Sequence, residues 1–88
     1  MKQSTIKQLN EHLAKARAKH PHFAPCGPMQ VVSISAEELG EIAKEINDWV
    51  DKPNMRCDWG TPECKEYLRA KEEALDLIAV LIRFIEND

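Results

Sequence analysis

The chain has 88 residues, a net charge of −3 and three cysteines, and 43% of its residues are hydrophobic against 31% charged. This length predicts one domain over residues 1–88, with a core small enough that oligomerisation is expected. The composition is typical of a folded soluble protein, and the negative charge argues against nucleic acid or an anionic membrane as a partner.

The sequence offers no targeting or membrane segment. The N-terminus lacks the apolar stretch of a signal peptide, and the apolar run near the C-terminus is shorter than the ~20 residues that span a bilayer. An odd number of cysteines without a signal peptide is most simply explained by free thiols in a reducing cytosol. We therefore predict a cytoplasmic protein whose cysteines are unpaired.

Helical periodicity appears in three segments, and no strand pattern competes with it. In the first segment, apolar residues recur at steps of three and four, namely Ile6, Leu9, Leu13 and Ala16. The stretch "HPHFAPCGP" must end this helix, because its prolines cannot continue the hydrogen-bond ladder. The first element is thus a narrow amphipathic helix.

The second helix has two possible starting points. Ser35 and Glu38 form a capping box, whereas Pro28 after Gly27 suits a first helical turn. An unbroken apolar stripe begins before the capping box and contains Val32, Ala36, Leu39, Ala43, Ile46 and Val50. This stripe favours the longer helix, from Pro28 to Val50.

The third helix follows a polar loop. Thr61 is the predicted cap, with Pro62 at the first helical position and Cys64 at the third, and the helix runs to about Glu86. Two neighbouring apolar stripes follow it, one with Tyr67, Ala74, Ile78, Leu81 and Ile85, the other with Leu68, Leu75, Ala79 and Ile82. Two apolar faces need two partners. We therefore predict an all-α fold of three main helices that completes a four-helix-bundle-like core by homodimerisation.

Carboxylates recur at a helical spacing on the second and third helices. Glu38 and Glu41 lie three residues apart, as do Glu73 and Asp76, and this spacing places each pair on one helix face. If the helices pack antiparallel, the pairs face each other and repel unless a cation lies between them. Carboxylate oxygens are natural ligands of Mg²⁺, which also binds phosphate oxygens. The same acidic edge includes Glu37 and Glu45.

Asp76 lies in a very apolar stretch, "ALDLIAVLIRFI", where solvation of a carboxylate is hard to arrange. A buried carboxylate normally has a cation, a metal or hydrogen-bond donors beside it. One explanation is a metal ion shared with the other carboxylates. The alternative is a salt bridge to Arg69, to Arg83 or to a lysine of another helix.

The order "EELGEIAKEI" and then "EEALDLIAVLIRFI" resembles the MazG-like all-α nucleoside triphosphate pyrophosphohydrolases, whose signature is E-E-x-x-E followed by E-x-x-D. The resemblance spans about residues 29–86. It implies a homodimer or larger assembly that cleaves nucleoside triphosphates to nucleoside monophosphate and pyrophosphate. It also implies Mg²⁺, with Mn²⁺ as the alternative, and Glu37 or Glu38 as the general base. The implied metal ligands are Glu38, Glu41, Glu73 and Asp76.

Further candidates concern the substrate and a second metal. Arg69 and Arg83 are the favoured phosphate ligands among the basic residues because they flank the acidic edge, and Phe23 is the favoured stacking residue. A zinc site is disfavoured because the Cys57-x6-Cys64 spacing does not match a short zinc knuckle. Two readings without catalysis stay open: a dimeric helical interaction module, and a relative that binds nucleotide without cleaving it.

Overall fold

The computed structural model describes residues 1–19 and 28–86, and these form three α-helices. They are α1 (Gln3–Lys19), α2 (Pro28–Val50) and α3 (Lys65–Glu86). The described residues contain no strand, which confirms the all-α prediction. None of these helices is long and apolar enough to cross a bilayer. The predicted end of α1 in the proline-rich stretch lies outside the described residues.

The bounds of α2 are those predicted from its apolar stripe. Pro28 opens the helix, and Ser35 lies in its interior, where its hydroxyl oxygen is buried and has no hydrogen-bond partner among residues 1–19 and 28–86. The capping box therefore does not start a helix here. At the other end, the Asp51 N–H donates to the Asn47 carbonyl over 3.0 Å, and the chain turns away before Pro53, which could not continue the helix.

The start of α3 differs from the prediction by three residues. The Thr61 hydroxyl donates back to the Asp58 carbonyl over 2.8 Å, so it closes a turn in the loop instead of capping a helix. The Leu68 N–H donates to the Cys64 carbonyl over 3.0 Å, which is the first bond of the helical ladder. Cys64 is therefore the residue before the first helical turn, not a residue within it.

Helices α2 and α3 form an antiparallel hairpin. Just beyond the end of α2, Lys52 bonds Glu66 in the first turn of α3 over 2.7 Å. Further along, Glu38 of α2 lies against Glu73 of α3. Residue numbers thus fall on α2 as they rise on α3, and the loop of residues 51–64 reverses the direction of the chain.

Helix α1 packs along α3 in the same direction. His12 reaches Asp76, and Arg17 reaches Glu86 further along. Within the described residues, α1 and α2 each contact α3 but not each other. The central position of α3 leaves a groove between α1 and α2.

The core within one chain is small and lies along one side of α3. Its buried apolar residues are Leu13, Val31, Cys64, Ala70, Leu75 and Ala79. The apolar stripe predicted for α2 does not join it: Val32 and Leu39 are each 59% exposed, and Ile46 and Val50 are also exposed. On α3, Ile78, Leu81 and Ile85 of the first stripe are exposed as well, whereas Tyr67 and Ala74 are half-buried. Large apolar surfaces on both helices thus lack a partner within the described chain.

The loop between α2 and α3 is cross-linked by a disulfide between Cys57 and Cys64. The prediction of free thiols is therefore wrong for these two cysteines, because the turn at Thr61 brings together side chains that are seven positions apart. The Trp49 indole N–H donates to the Cys57 carbonyl over 2.7 Å, and its ring meets Trp59 edge-to-face. Cys26, the third cysteine, lies outside the described residues.

Candidate carboxylate site

Three carboxylates from two helices meet between α2 and α3. Glu38 of α2 and Glu73 and Asp76 of α3 each offer an oxygen, and these oxygens lie within 4.8 Å of one another. The spacing of three residues on α3 puts Glu73 and Asp76 on the face that α2 covers, and the antiparallel packing brings Glu38 opposite them. Three of the four carboxylates that were predicted to face one another therefore converge, whereas Glu41 does not join them within the described residues.

Glu38 is the carboxylate of this cluster whose pKa is raised by its surroundings. Burial, a hydrogen bond with Glu73, and the negative charges of Glu73, Asp76 and Glu41 raise its pKa to about 7. One of its oxygens, Oε2, is buried and has no hydrogen-bond partner within the described residues. A buried oxygen without a donor is costly, and a bound cation would remove that cost.

The partner of Asp76 is a histidine of α1. The Nδ1 atom of His12 lies 2.6 Å from Asp76 Oδ1, and its Nε2 atom lies 2.9 Å from Glu72 Oε2. Both ring nitrogens of His12 thus face carboxylate oxygens of α3, one from Asp76 and the other from Glu72.

The premise that Asp76 is deeply buried is wrong. Its side chain is 48% exposed, because the apolar residues around it in sequence face other sides of α3. The two arginines proposed as its partner have other contacts among the described residues: Arg69 lies near Glu45, and Arg83 donates to the Ala16 carbonyl. The case for a metal therefore depends on Glu38 and its neighbours rather than on burial of Asp76.

His12 is a residue of the site that was not predicted from the sequence. It lies beside Leu13, the buried residue of α1, and its side chain is 12% exposed. A histidine at the edge of an apolar stripe faces the neighbouring helix, and this position could have suggested it as a partner for an acidic helix. Which acid it meets is set by the packing of α1 on α3, over a separation of 64 residues.

A cavity of about 540 Å³ fills the groove between α1 and α2 and opens beside the carboxylates. His12, Glu38 and Asp76 line one part of it. The cationic residues that line it are Lys15, Lys19 and Arg83. Lys15 and Lys19 lie one and two turns beyond His12 on α1, so positive charge extends about 10 Å along the groove from the carboxylates. The groove therefore has an acidic and a basic part.

Arg83, predicted to bind substrate, is only 2% exposed, although it lines this cavity. Its guanidinium donates to the Ala16 carbonyl over 3.0 Å and so holds α1 against α3. Arg69, the other predicted phosphate ligand, lines a different cavity and lies 3.6 Å from Glu45.

The remaining predicted site residues are less central. Glu37 and Glu41 are exposed on α2, and Glu41 belongs to no three-carboxylate group within the described residues, although its charge acts on Glu38. Phe23 lies outside the described residues.

The donor set fits a hard divalent cation. Three carboxylates supply the oxygen ligands that Mg²⁺ prefers, and the adjoining cavity leaves room for water and phosphate oxygens.

Comparison of the chain with protein-family models, with curated proteins and with solved structures finds no match.

Proposed function

We propose that the chain is a Mg²⁺-dependent nucleoside triphosphate pyrophosphohydrolase, which converts its substrate to nucleoside monophosphate and pyrophosphate. The observation that carries the proposal is the pairing, in one groove, of a three-carboxylate cluster with a basic strip. A site for a metal-bound polyphosphate needs both: carboxylates that coordinate the metal, and cations that bind the phosphates that the metal does not coordinate. Triphosphates are abundant in the cytoplasm, where we place the protein.

Glu38, Glu73 and Asp76 would hold Mg²⁺, or Mn²⁺ in its place, with Glu41 at the edge of the cluster. The metal, when bound, would polarise phosphoryl oxygens and lower the pKa of bound water. Lys15 and Lys19 are the exposed cations of the groove and would hold the phosphate chain. His12 would fix the orientation of Asp76, since it occupies one of that residue's carboxylate oxygens.

A general base is needed to take a proton from the attacking water. Glu38 is suited to that role by its position within the carboxylate cluster, next to the proposed metal. Glu37 is the alternative implied by the family resemblance, and it would act from the exposed side of α2.

The test is pyrophosphate release from a mixture of ribo- and deoxyribonucleoside triphosphates, with and without Mg²⁺. We expect Mg²⁺-dependent release that falls by about 100-fold or more in Asp76→Asn, because a metal ligand is lost. Asp48→Asn is the matched control, since it removes an exposed carboxylate of α2 outside the cluster. No release from folded protein, or equal release from both variants, would refute the proposal.

The proposed enzyme is a homodimer. Val32, Leu39 and Ile46 lie seven residues apart and are exposed, which is the spacing of a helix-packing seam. Such a seam on a second copy would cover the apolar residues that a single chain leaves in water. The same surface supports the second candidate function, an interaction module that binds a helix of another protein. A monomer with this surface exposed and no turnover would favour the module.

A further inference from the structure

A second cluster of metal-binding atoms lies in the loop between α2 and α3, away from the carboxylate site. The Sγ atom of Cys57 is 3.4 Å from Glu66 Oε2, and that of Cys64 is 4.0 Å from the same oxygen. Cys64 is fully buried and Glu66 is 9% exposed. A nearly buried carboxylate that points at two sulfur atoms has no role in the proposed hydrolysis.

Lys52 keeps this carboxylate charged and oriented. Its ammonium donates to Glu66 Oε1 over 2.7 Å, so the other oxygen, Oε2, is the one directed at the sulfurs. This hydrogen bond is the main cause that lowers the pKa of Glu66. A hydrogen-bonded second partner of this kind fixes the direction of metal-binding carboxylates in general.

We propose that reduction of the Cys57–Cys64 disulfide turns this cluster into a Zn²⁺ site, with both thiolates and Glu66 as ligands. A dithiol reductant supplies the two electrons and is oxidised to its own disulfide, while the two sulfurs of the chain become thiols. Zn²⁺ then binds the sulfurs as thiolates and releases their two protons.

The distances suit this metal. With Zn–S bonds of about 2.3 Å and Zn–O bonds of about 2.1 Å, a tetrahedral site separates sulfur from oxygen by roughly 3.6 Å. The two observed sulfur-to-oxygen distances, 3.4 and 4.0 Å, lie on either side of that value. On reduction the sulfurs only need to move apart from each other, while the carboxylate keeps its place.

The fourth coordination position has space available. Cys57, Glu66 and Lys52 line a cavity of about 640 Å³, which is large enough for a water ligand. Three ligands with soft sulfur among them select Zn²⁺ over Mg²⁺, so the two proposed metal sites differ in the ion that they take.

The metal would preserve the cross-link in a reducing compartment. The disulfide ties the middle of the loop to the residue that precedes α3, and its loss would release that tie. Zn²⁺ held by the same two sulfurs closes the same loop. The loop that joins α2 to α3 then keeps its cross-link in both redox states.

Co²⁺ titration of the whole chain tests this proposal, because thiolate ligands give Co²⁺ an intense near-ultraviolet charge-transfer absorption and carboxylates do not. We expect the absorption to saturate at one Co²⁺ per reduced chain, to vanish on addition of Zn²⁺, and to be absent from the oxidised chain. Cys57→Ser and Cys64→Ser should abolish it, and Glu66→Gln should weaken Co²⁺ binding about tenfold or more.

Two variants serve as controls. Cys26→Ser removes the third thiol, and Glu38→Gln alters the carboxylate site, so both should keep the absorption. No charge-transfer absorption in the reduced wild-type chain would overturn the proposal, and so would full absorption in Cys57→Ser. The comparison of reduced and oxidised wild-type protein needs no variant, so misfolding of a substituted chain would not affect it.

Discussion

At the scale of single residues, Glu38 is the group whose environment departs most from that of an ordinary carboxylate. Its pKa of about 7 in the folded chain exceeds the usual value of 4.5, so the folded chain binds a proton that the unfolded chain has lost. Without metal, stability therefore falls as pH rises from 4.5 to 7, and it stays low above that range. The carboxylate cluster is thus a source of instability at neutral pH.

Glu38→Gln should remove this dependence. We expect the variant to be more stable than wild type at pH 8 by on the order of 1 kcal/mol, after allowance for partial exposure, and to differ little at pH 4. Urea denaturation of metal-free protein at the two pH values measures the difference. Asp48→Asn provides the control, and an equal gain at both pH values would contradict the assignment.

Metal and proton compete for the same residue. Mg²⁺ binding to the cluster requires the ionised form of Glu38, so affinity should rise with pH up to about 7 and then level off. Isothermal titration with Mg²⁺ between pH 5.5 and 8 would show this profile. A profile that is flat through pH 7 would place the metal elsewhere.

At the scale of elements, the sequence predicted the helices better than it predicted the loop and the tertiary contacts around them. The bounds of α2 followed from Pro28 and the periodic stripe, because local chemistry decides where a helix starts. The start of α3 was predicted wrongly, because the Thr61 hydroxyl bonds a carbonyl of the loop and Cys64 is held by the disulfide. Long-range contacts of this kind leave no local signal.

The stripe of α2 shows the same limit. Its periodicity was read correctly, yet the face that packs on α3 within the chain carries Val31 and Glu38 rather than Leu39. Periodicity identifies an apolar face but does not say which partner covers it. The proximity of Glu38, Glu73 and Asp76 could be predicted from their helical spacing, whereas the exclusion of Glu41 and the approach of His12 depended on tertiary packing.

Gly40 offers a test of α2 as an element. It lies inside the helix, and an added Cβ would meet no atom within 4 Å. Gly40→Ala should therefore stabilise the protein by about 0.5–1 kcal/mol, because alanine loses less conformational freedom on folding. Gly60→Ala should have the opposite effect. Because the φ angle of Gly60 is 95°, alanine there should destabilise the protein by about 1 kcal/mol. Chemical denaturation at equal protein concentration measures both, and a loss of stability in Gly40→Ala would show that a partner approaches this position.

At the scale of the whole molecule, the exposed apolar stripes are the main feature that one chain leaves unexplained. Leu39→Glu places a charge in the middle of the α2 stripe and should convert the proposed dimer to monomer, since an unpaired charge in an apolar interface is strongly unfavourable. Light scattering coupled to size-exclusion chromatography gives the mass directly. Lys44→Glu, on another side of α2, should remain dimeric.

The central position of α3 also has a consequence for the order in which the chain folds. Helices α2 and α3 are joined by the loop of residues 51–64, whereas α1 meets α3 through residues more than sixty positions away, as His12 does with Asp76. Closing the longer loop costs more entropy, so docking of α1 is expected after the hairpin has formed. Substitution of His12 by alanine should then speed unfolding and leave the refolding rate nearly unchanged in stopped-flow experiments. The carboxylates of α2 and α3 would thus be in place before α1 brings Lys15 and Lys19 beside them. A metal ion could then bind during folding rather than after it.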